Sequence, residues 1–144
     1  MKHTRSIKKD ELTRNWFIID AKGVRLGKIA TEAARLLIGK HKVTKADNMV
    51  SGDSVIIINA KEVDVHPKKY LQKKYYNHSG YIGGMRVETL EQVLAKHPER
   101  VIERAVKGML PKTKLGRAMY GNLYVYEGAE HKHEAQQPIS VEIS

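Results

Sequence analysis

The chain has 144 residues, enough for one domain, and its hydrophobic content of 41% is typical of a sequence that folds around a core. It contains no cysteine, which excludes disulfides, cysteine-ligated zinc and thiol catalysis. The formal net charge of +10 favours a polyanionic partner, with nucleic acid first, an anionic membrane surface second, and a basic protein without such a partner as the remaining alternative.

The first third of the sequence predicts a strand, a helix and a second strand. Residues 1–14 are polar and basic, and we expect an arm that carries no secretory signal. The apolar run 16–19 predicts a strand, and apolar residues at helical spacing over 26–37, followed by Gly39, predict a helix. Residues 55–58 are apolar at every position, which is typical of a strand covered on both faces. This order indicates two parallel strands joined by a right-handed helical crossover.

The middle of the chain is strongly cationic. No acid occurs between residues 67 and 87, and three glycines within residues 80–84 predict a loop. Tyr75 and Tyr76, in front of this loop, favour a third strand. A solvated surface normally mixes both signs of charge, so cations in an acid-free stretch indicate phosphate contacts. The candidates in this stretch are Lys68, Lys69, Lys73, Lys74 and Arg86.

The second half of the sequence predicts two helices, a basic turn and a final strand. A capping box begins at Thr89, and Pro98 suits the first turn of the next helix. Residues 112–117 predict a basic loop or a short helical turn, and residues 123–126 favour a strand. Residues 128–144 are polar and are expected to be irregular.

Together these elements predict one α/β domain around a small, mainly parallel sheet, whose strand order the pattern leaves open. We expect the domain over residues 15–127, between a basic arm, 1–14, and an irregular tail, 128–144. The longest apolar run, 55–58, is far too short to cross a bilayer, so we expect a cytoplasmic protein with no membrane partner.

Two further stretches lack acids. Residues 104–126 and 33–46 both carry cations, although those of 33–46 lie at the end of the first helix and suit its dipole equally well. All seven tyrosines lie within 67–87 and 104–126, where aromatic rings could stack on unpaired bases. Tyrosines at strand spacing are more often half-buried sheet residues, and we assign most of them to that role. The further candidates are Lys40, Lys42, Lys107, Lys112, Lys114 and Arg117.

Residues 23–28 resemble a phosphate-binding loop but do not match one. A nucleotide-binding P-loop has four residues between its glycines and a hydroxyl residue after the lysine. Here three residues separate Gly23 from Gly27, and Ile29 follows Lys28. A nucleotide-dependent enzyme is therefore the less favoured hypothesis, whereas helix N-terminal amides with Arg25 and Lys28 could hold one phosphate of an RNA backbone.

Two histidines, His131 and His133, lie on one side of a segment expected to be extended. A metal would need further ligands that the neighbouring sequence does not supply, so an RNA-facing pair is favoured over a metal site. His78 has no nearby acid that would orient it for nucleophilic catalysis. We therefore expect no catalytic residue, no metal, no cofactor and no small-molecule substrate.

Several motifs in the same order resemble the bacterial large-subunit ribosomal protein L-thirteen family. The most specific are the stretch 106–111 with 115–117 and the loop 78–84. Weaker matches are residues 26–28, the pair Gly52-Asp53 before the buried strand, and the tail 130–138. The resemblance extends from about Trp16 to Pro138.

This resemblance implies a three-layer α/β/α domain around a four-stranded parallel sheet. It implies a structural, non-catalytic constituent of the large (50S) ribosomal subunit in the cytoplasm, which binds 23S rRNA, acts early in subunit assembly and contacts neighbouring large-subunit proteins. Some members of the family also bind messenger RNA and repress translation. Residues that the resemblance implicates in RNA binding are His78, Ser79, Tyr81, Gly83 and Gly84 in the loop, and Lys107, Lys112, Lys114 and Arg117 around the signature.

Overall fold

The computed structural model describes residues 7–143; residues 1–6 of the predicted arm and the last residue of the tail lie outside the described residues. The strands are β1 (Trp16–Asp20), β2 (Ser54–Ile58), β3 (Lys74–His78), β4 (Met85–Thr89), β5 (Leu123–Val125) and β6 (Ile139–Val141). The helices are α1 (Leu26–Ile38), α2 (Pro67–Gln72), α3 (Leu90–Lys96), α4 (Pro98–Met109) and α5 (Lys114–Tyr120). Short 3-10 helices span Lys9–Glu11, Ala60–Glu62 and Glu134–Gln136.

Within the described residues, the main sheet has four strands in the order β5-β2-β1-β6, and every neighbouring pair is parallel. The central pair places Ile18 opposite Ile56, and Ile56 in turn lies opposite Tyr124 of β5. Helices flank this sheet, which confirms the predicted α/β class with a small parallel sheet. The strand order, which the sequence pattern leaves open, is established by this pairing.

One face of the sheet packs against α1 and α4. Side chains alternate across a strand, so Phe17 and Ile19 of β1 share a face with Val55 and Ile57 of β2. These residues join one apolar cluster with α1, whose buried positions recur at helical spacing. The helix ends at Gly39, whose φ of 80° is left-handed, as the glycine in the sequence predicts.

The opposite face carries the C-terminal segment. Trp16 and Tyr124 point to this side, where their rings stack with centroids 5.4 Å apart. His133, in the chain between β5 and β6, packs on both rings. The expectation of an irregular tail was wrong for residues 139–141, which add the edge strand β6 to β1. Three residues are too few to show an alternating pattern, so no sequence signal indicates this strand.

The predicted third strand does form, but it lies outside the parallel sheet. β3 pairs with β4 in an antiparallel hairpin that places Tyr76 opposite Val87. The loop between them is the glycine-rich stretch 79–84. The short helix α2 was also not predicted. The capping box of α3 is confirmed, since the Thr89 hydroxyl accepts from the Gln92 amide and the Gln92 side chain accepts from the Thr89 amide.

Candidate nucleic-acid interface

A cleft of about 710 Å³ opens between the N-terminus of α1, helix α2 and helix α4. We call it the α1–α2 cleft. Two of its cationic lining residues lie at the start of α1, one lies in α2 and one follows α2. Asp64 is the single carboxylate among the described lining residues. The cations are Arg25, Lys28, Lys69 and Lys73. Residues more than forty positions apart thus form one electropositive concavity, which is a favourable place for phosphate.

The backbone at the start of α1 does not form a nest of free amides. The Leu26 amide donates to the carbonyl of Asp64 at 3.1 Å, and the Lys28 amide donates to that of Arg25 at 2.9 Å. The expectation that N-terminal amides hold a phosphate is therefore unsupported at these two positions. Arg25 also lies 3.8 Å from the carboxylate of Asp64, both being well exposed. Cationic side chains, rather than backbone amides, are what this cleft offers to an anion.

A second basic cluster surrounds the predicted signature. A pocket of about 330 Å³ is lined by Lys107, Lys112 and Arg117 together with Pro111 and Tyr120. The ammonium of Lys107 lies 5.8 Å from the centre of the Tyr120 ring. Burial, followed by the charge of Glu103 and a hydrogen bond with its carboxylate, raises the pKa of Tyr120, so this hydroxyl stays neutral and is held by Glu103. We call this pocket the signature cluster.

The basic turn of the signature is the helix α5 rather than a loop. The Thr113 hydroxyl accepts from the Gly116 amide at 3.2 Å and caps the helix. Gly116 is buried, and a side chain there would overlap the carbonyl of Pro111. Because Gly116 has no side chain, α5 packs directly on Pro111 in the connection between α4 and α5. This packing places Lys112 and Arg117 around one pocket, with Lys114 exposed on the first turn of α5.

The glycine-rich loop is ordered by its own hydrogen bonds. The Ser79 amide donates to the Gly84 carbonyl at 3.2 Å, and the Gly84 amide donates to the Tyr81 carbonyl at 2.9 Å. His78 accepts from the Gly80 amide through Nδ1 at 2.9 Å. The φ angle of Gly83 is 74°, a conformation that a residue with a side chain adopts only with strain. The loop thus presents Tyr81 outward, with its side chain 80% exposed.

The remaining candidate cations fall into two groups. Lys40, Lys68, Lys74 and Arg86 are exposed and available to a partner. Lys42 is not, because its ammonium points inward and donates to the buried carboxylate of Asp53 and to the carbonyls of Thr13 and Ser51. Only 12% of its side chain is exposed. Its contacts give Lys42 a structural role that the sequence did not reveal, and we do not retain it as an RNA ligand.

The two tail histidines are partly buried and pack on aromatic residues of the sheet rather than forming an outward-facing pair. His133 packs against Trp16 and Tyr124, with ring centroids 4.9 Å and 4.5 Å away, and it is partly buried. His131 accepts from the His133 amide through Nδ1 and lies beside Tyr126. Across residues 7–143, no group of three or more His, Asp or Glu side chains is placed to hold a metal ion. Both histidines therefore hold the tail on the sheet.

Arg104 and Tyr76 were not among the site residues predicted from the sequence. Arg104 of α4 lies with its guanidinium carbon 4.9 Å from the centre of the Tyr75 ring and donates to the Asn77 side chain, so it fixes the hairpin to α4. Tyr76, the neighbour of Tyr75, is 62% exposed while Tyr75 is 8% exposed. Strand alternation could have separated the two tyrosines, but only if the hairpin register had been known.

Within the described part of the chain, no helix is long and apolar enough to cross a membrane.

Comparison with known proteins places these features in a family context. The family model described as Ribosomal protein L13 matches residues 14–132. The chain is 53% identical over 135 residues to the large ribosomal subunit protein uL13 of Hamiltonella defensa, covering 94% of this chain and 95% of that protein. It is 50% identical over 143 residues to the protein of the same name from Mycoplasmopsis pulmonis, covering 99% of both chains. The corresponding protein of Saccharopolyspora erythraea is 52% identical over 141 residues, covering 98% of this chain and 95% of that protein.

Proposed function

The chain belongs to the ribosomal protein L13 family, and we propose that it binds 23S rRNA through the α1–α2 cleft and the signature cluster. As a member of the family it is a structural, non-enzymatic component of the large subunit of the cytoplasmic ribosome. Family membership alone does not specify which surface of the protein meets the RNA.

The observation that carries this proposal is the convergence of cations in the α1–α2 cleft. Arg25 and Lys28 precede Lys69 and Lys73 by more than forty residues, yet all four line one concavity with a single carboxylate among its described residues. Asp64 offsets part of this charge through Arg25, and the remaining excess of positive charge in the cleft favours an anionic partner. A phosphate backbone supplies closely spaced negative charges and releases bound counterions when cations replace them.

The signature cluster supplies a second contact of the same kind. Lys107, Lys112 and Arg117 surround its pocket on the other side of α4 from the α1–α2 cleft, since Ala105 and Met109 line the cleft while Lys107 lines the pocket. Two separated sites on either side of α4 fix the orientation of a bound RNA better than one site does. This supports a role as an early-binding assembly protein that stabilises an rRNA fold before neighbouring large-subunit proteins join.

The test is a paired charge reversal in the cleft. We expect Lys28→Glu with Lys69→Glu to weaken binding to a 23S rRNA transcript and to reduce the salt slope by roughly 0.7 to 0.9 for each phosphate that the variant no longer neutralises. The matched control is Arg100→Glu with Lys132→Glu, which makes the same change of net charge at exposed positions outside the cleft and the signature cluster. Equal affinity and equal salt slope for the two double variants would contradict the proposed interface.

A second measurement addresses the ribosome itself. We expect the wild-type protein to co-sediment with large subunits after a high-salt wash, and the cleft variant to be depleted there. The same cations would also accept messenger RNA, because phosphate contacts carry no sequence information. Cross-linking in cells distinguishes the two partners, since a regulatory role requires a messenger RNA peak beside the rRNA signal.

A further inference from the structure

We propose that the outer face of the β3–β4 hairpin and its loop bind unpaired bases of the same RNA by stacking. We call this surface the hairpin face. It consists of Tyr76, His78, Tyr81, Met85 and Val87. The inference rests on the proposed rRNA-binding function, and it adds the class of RNA element that is recognised, a single-stranded loop or bulge rather than a duplex.

The register of the hairpin separates a structural face from a free one. Tyr75 and Asn77 of β3 point towards α4, where Arg104 covers the Tyr75 ring and binds the Asn77 side chain. Tyr76 and His78 alternate with them and point to the opposite side. Their cross-strand partners are Val87 and Met85, which continue the same face across β4.

The side chains of the hairpin face are exposed although most of them are apolar. The exposed fractions are 62% for Tyr76, 80% for Tyr81, 61% for Met85 and 47% for Val87. The described part of the chain places nothing over them. Tyr76, Met85 and Val87 share the outer face of the hairpin by register, and Tyr81 is exposed in the loop that joins its strands. Exposed apolar side chains grouped in this way usually mark a binding surface.

The charges around this face select a polyanion as its occupant. No acid occurs from residue 67 to residue 87, and Lys74 lies on the same side of β3 as Tyr76. Glu88 of β4 lies opposite Tyr75 on the inner side and is paired with Lys96. The absence of acids from β3 and from the loop suits an RNA strand, whereas a protein partner with an apolar patch would not require it.

The hydrogen-bond pattern of His78 adds a polar contact to the stacking surface. Its Nδ1 accepts from the Gly80 amide, so the neutral ring carries its proton on Nε2 and offers a donor to the partner. Together with the internal hydrogen bonds of loop 79–84, this fixes the backbone that carries Tyr81 before any ligand binds. A preformed loop loses little conformational freedom on binding, which favours stacking by a single exposed ring.

Stacking requires base faces that a duplex does not expose. In paired RNA the bases stack on one another, and proteins reach only the edges and the backbone. Unpaired bases stack on aromatic rings with little dependence on salt, while phosphate contacts depend strongly on it. The hairpin face and the α1–α2 cleft therefore make separable contributions to binding, distinguished by their response to salt.

The experiment compares ring removal with ring retention. We expect Tyr76→Ala with Tyr81→Ala to weaken binding to a 23S rRNA transcript by about thirtyfold or more, because two stacking rings are removed. The salt slope should stay that of the wild type. The control, Tyr76→Phe with Tyr81→Phe, keeps both rings and should bind like the wild type. Thermal midpoints should be equal for all of these proteins, because both side chains are exposed.

The outcomes separate this inference from the proposed function. Wild-type RNA affinity in the Ala double variant overturns the stacking proposal, and overturns it in favour of a protein partner if the variant also fails to enter large subunits. A reduced salt slope in that variant overturns it as well, because the loss would then be electrostatic. An effect of the Ala double variant without any effect of Lys28→Glu with Lys69→Glu supports the hairpin face and contradicts the cleft.

Discussion

Replacing Asp53 by alanine tests the buried ion pair that the structure places beneath the start of β1. The Asp53 side chain has no exposed surface. Its carboxylate accepts from the Asn15 amide at 2.7 Å and from His41 Nε2 at 2.7 Å, and it also accepts from the ammonium of Lys42. Removing it leaves a largely buried ammonium with only the carbonyls of Thr13 and Ser51.

The expected cost follows from removing one partner of a buried charge pair. Such changes destabilise proteins by about 3–5 kcal/mol, because the other charge stays buried without compensation. A domain of this size has a total stability of about 5–15 kcal/mol, so Asp53→Ala removes a large part of it. With a urea dependence of about 2 kcal/mol per molar, the unfolding midpoint should fall by about 1.5–2.5 M.

The assay is urea unfolding of the isolated protein in a double-mutant cycle. Lys42→Met in the Asp53→Ala background removes the stranded charge, and we expect it to restore part of the lost stability. The control is Asp47→Ala, which breaks an exposed pair with Lys45 and should leave the midpoint unchanged. A loss below about 1 kcal/mol for Asp53→Ala, or strict additivity in the double variant, would refute the reasoning.

Three further predictions concern packing and burial. Gly116→Ala should lower the free energy of unfolding by about 1–3 kcal/mol because its new methyl group overlaps the Pro111 carbonyl, whereas Gly108→Ala, with open space around it, should be neutral or stabilising in the same urea assay. Tyr75→Phe should raise stability by about 1 kcal/mol, since the buried hydroxyl has no hydrogen-bond partner among the described residues. Burial also raises the pKa of Tyr75 above its unfolded value of 10.0, so ionisation opposes folding. The free energy of unfolding should therefore fall as the pH rises through the raised value. Tyr75→Phe should lose less of this free energy than the wild type in unfolding curves at alkaline pH. His133→Ala should loosen the tail and shift the emission of the single tryptophan to longer wavelength, and an unchanged spectrum would show that the stacking contact is dispensable.

The sequence determined the elements whose signals are local. Apolar spacing, the terminal glycine and the uninterrupted apolar run predicted α1, its end at Gly39 and the buried strand β2, and all three are confirmed. The capping box of α3 was likewise correct. Each of these depends on residues within a few positions of one another, so the pattern alone contains the physical cause.

The sequence also narrowed the candidate site without assembling it. It identified acid-free stretches, but it could not show that the cations near residue 25 and those near residue 70 line one cleft. Nor could it separate Tyr75 from Tyr76, because adjacent residues of a strand have the same composition signal and opposite environments. The roles of the cleft and of the hairpin face in RNA binding remain predictions.

Only the tertiary structure decided what depends on contacts between distant segments. It turned Lys42 inward to Asp53, set His133 on Trp16, and added three tail residues to the sheet as β6. A lysine has the same net charge whether it faces solvent or a buried carboxylate, so composition cannot distinguish these states. Chain topology determines which group such a lysine contacts, and the topology follows from how all the apolar faces are buried together.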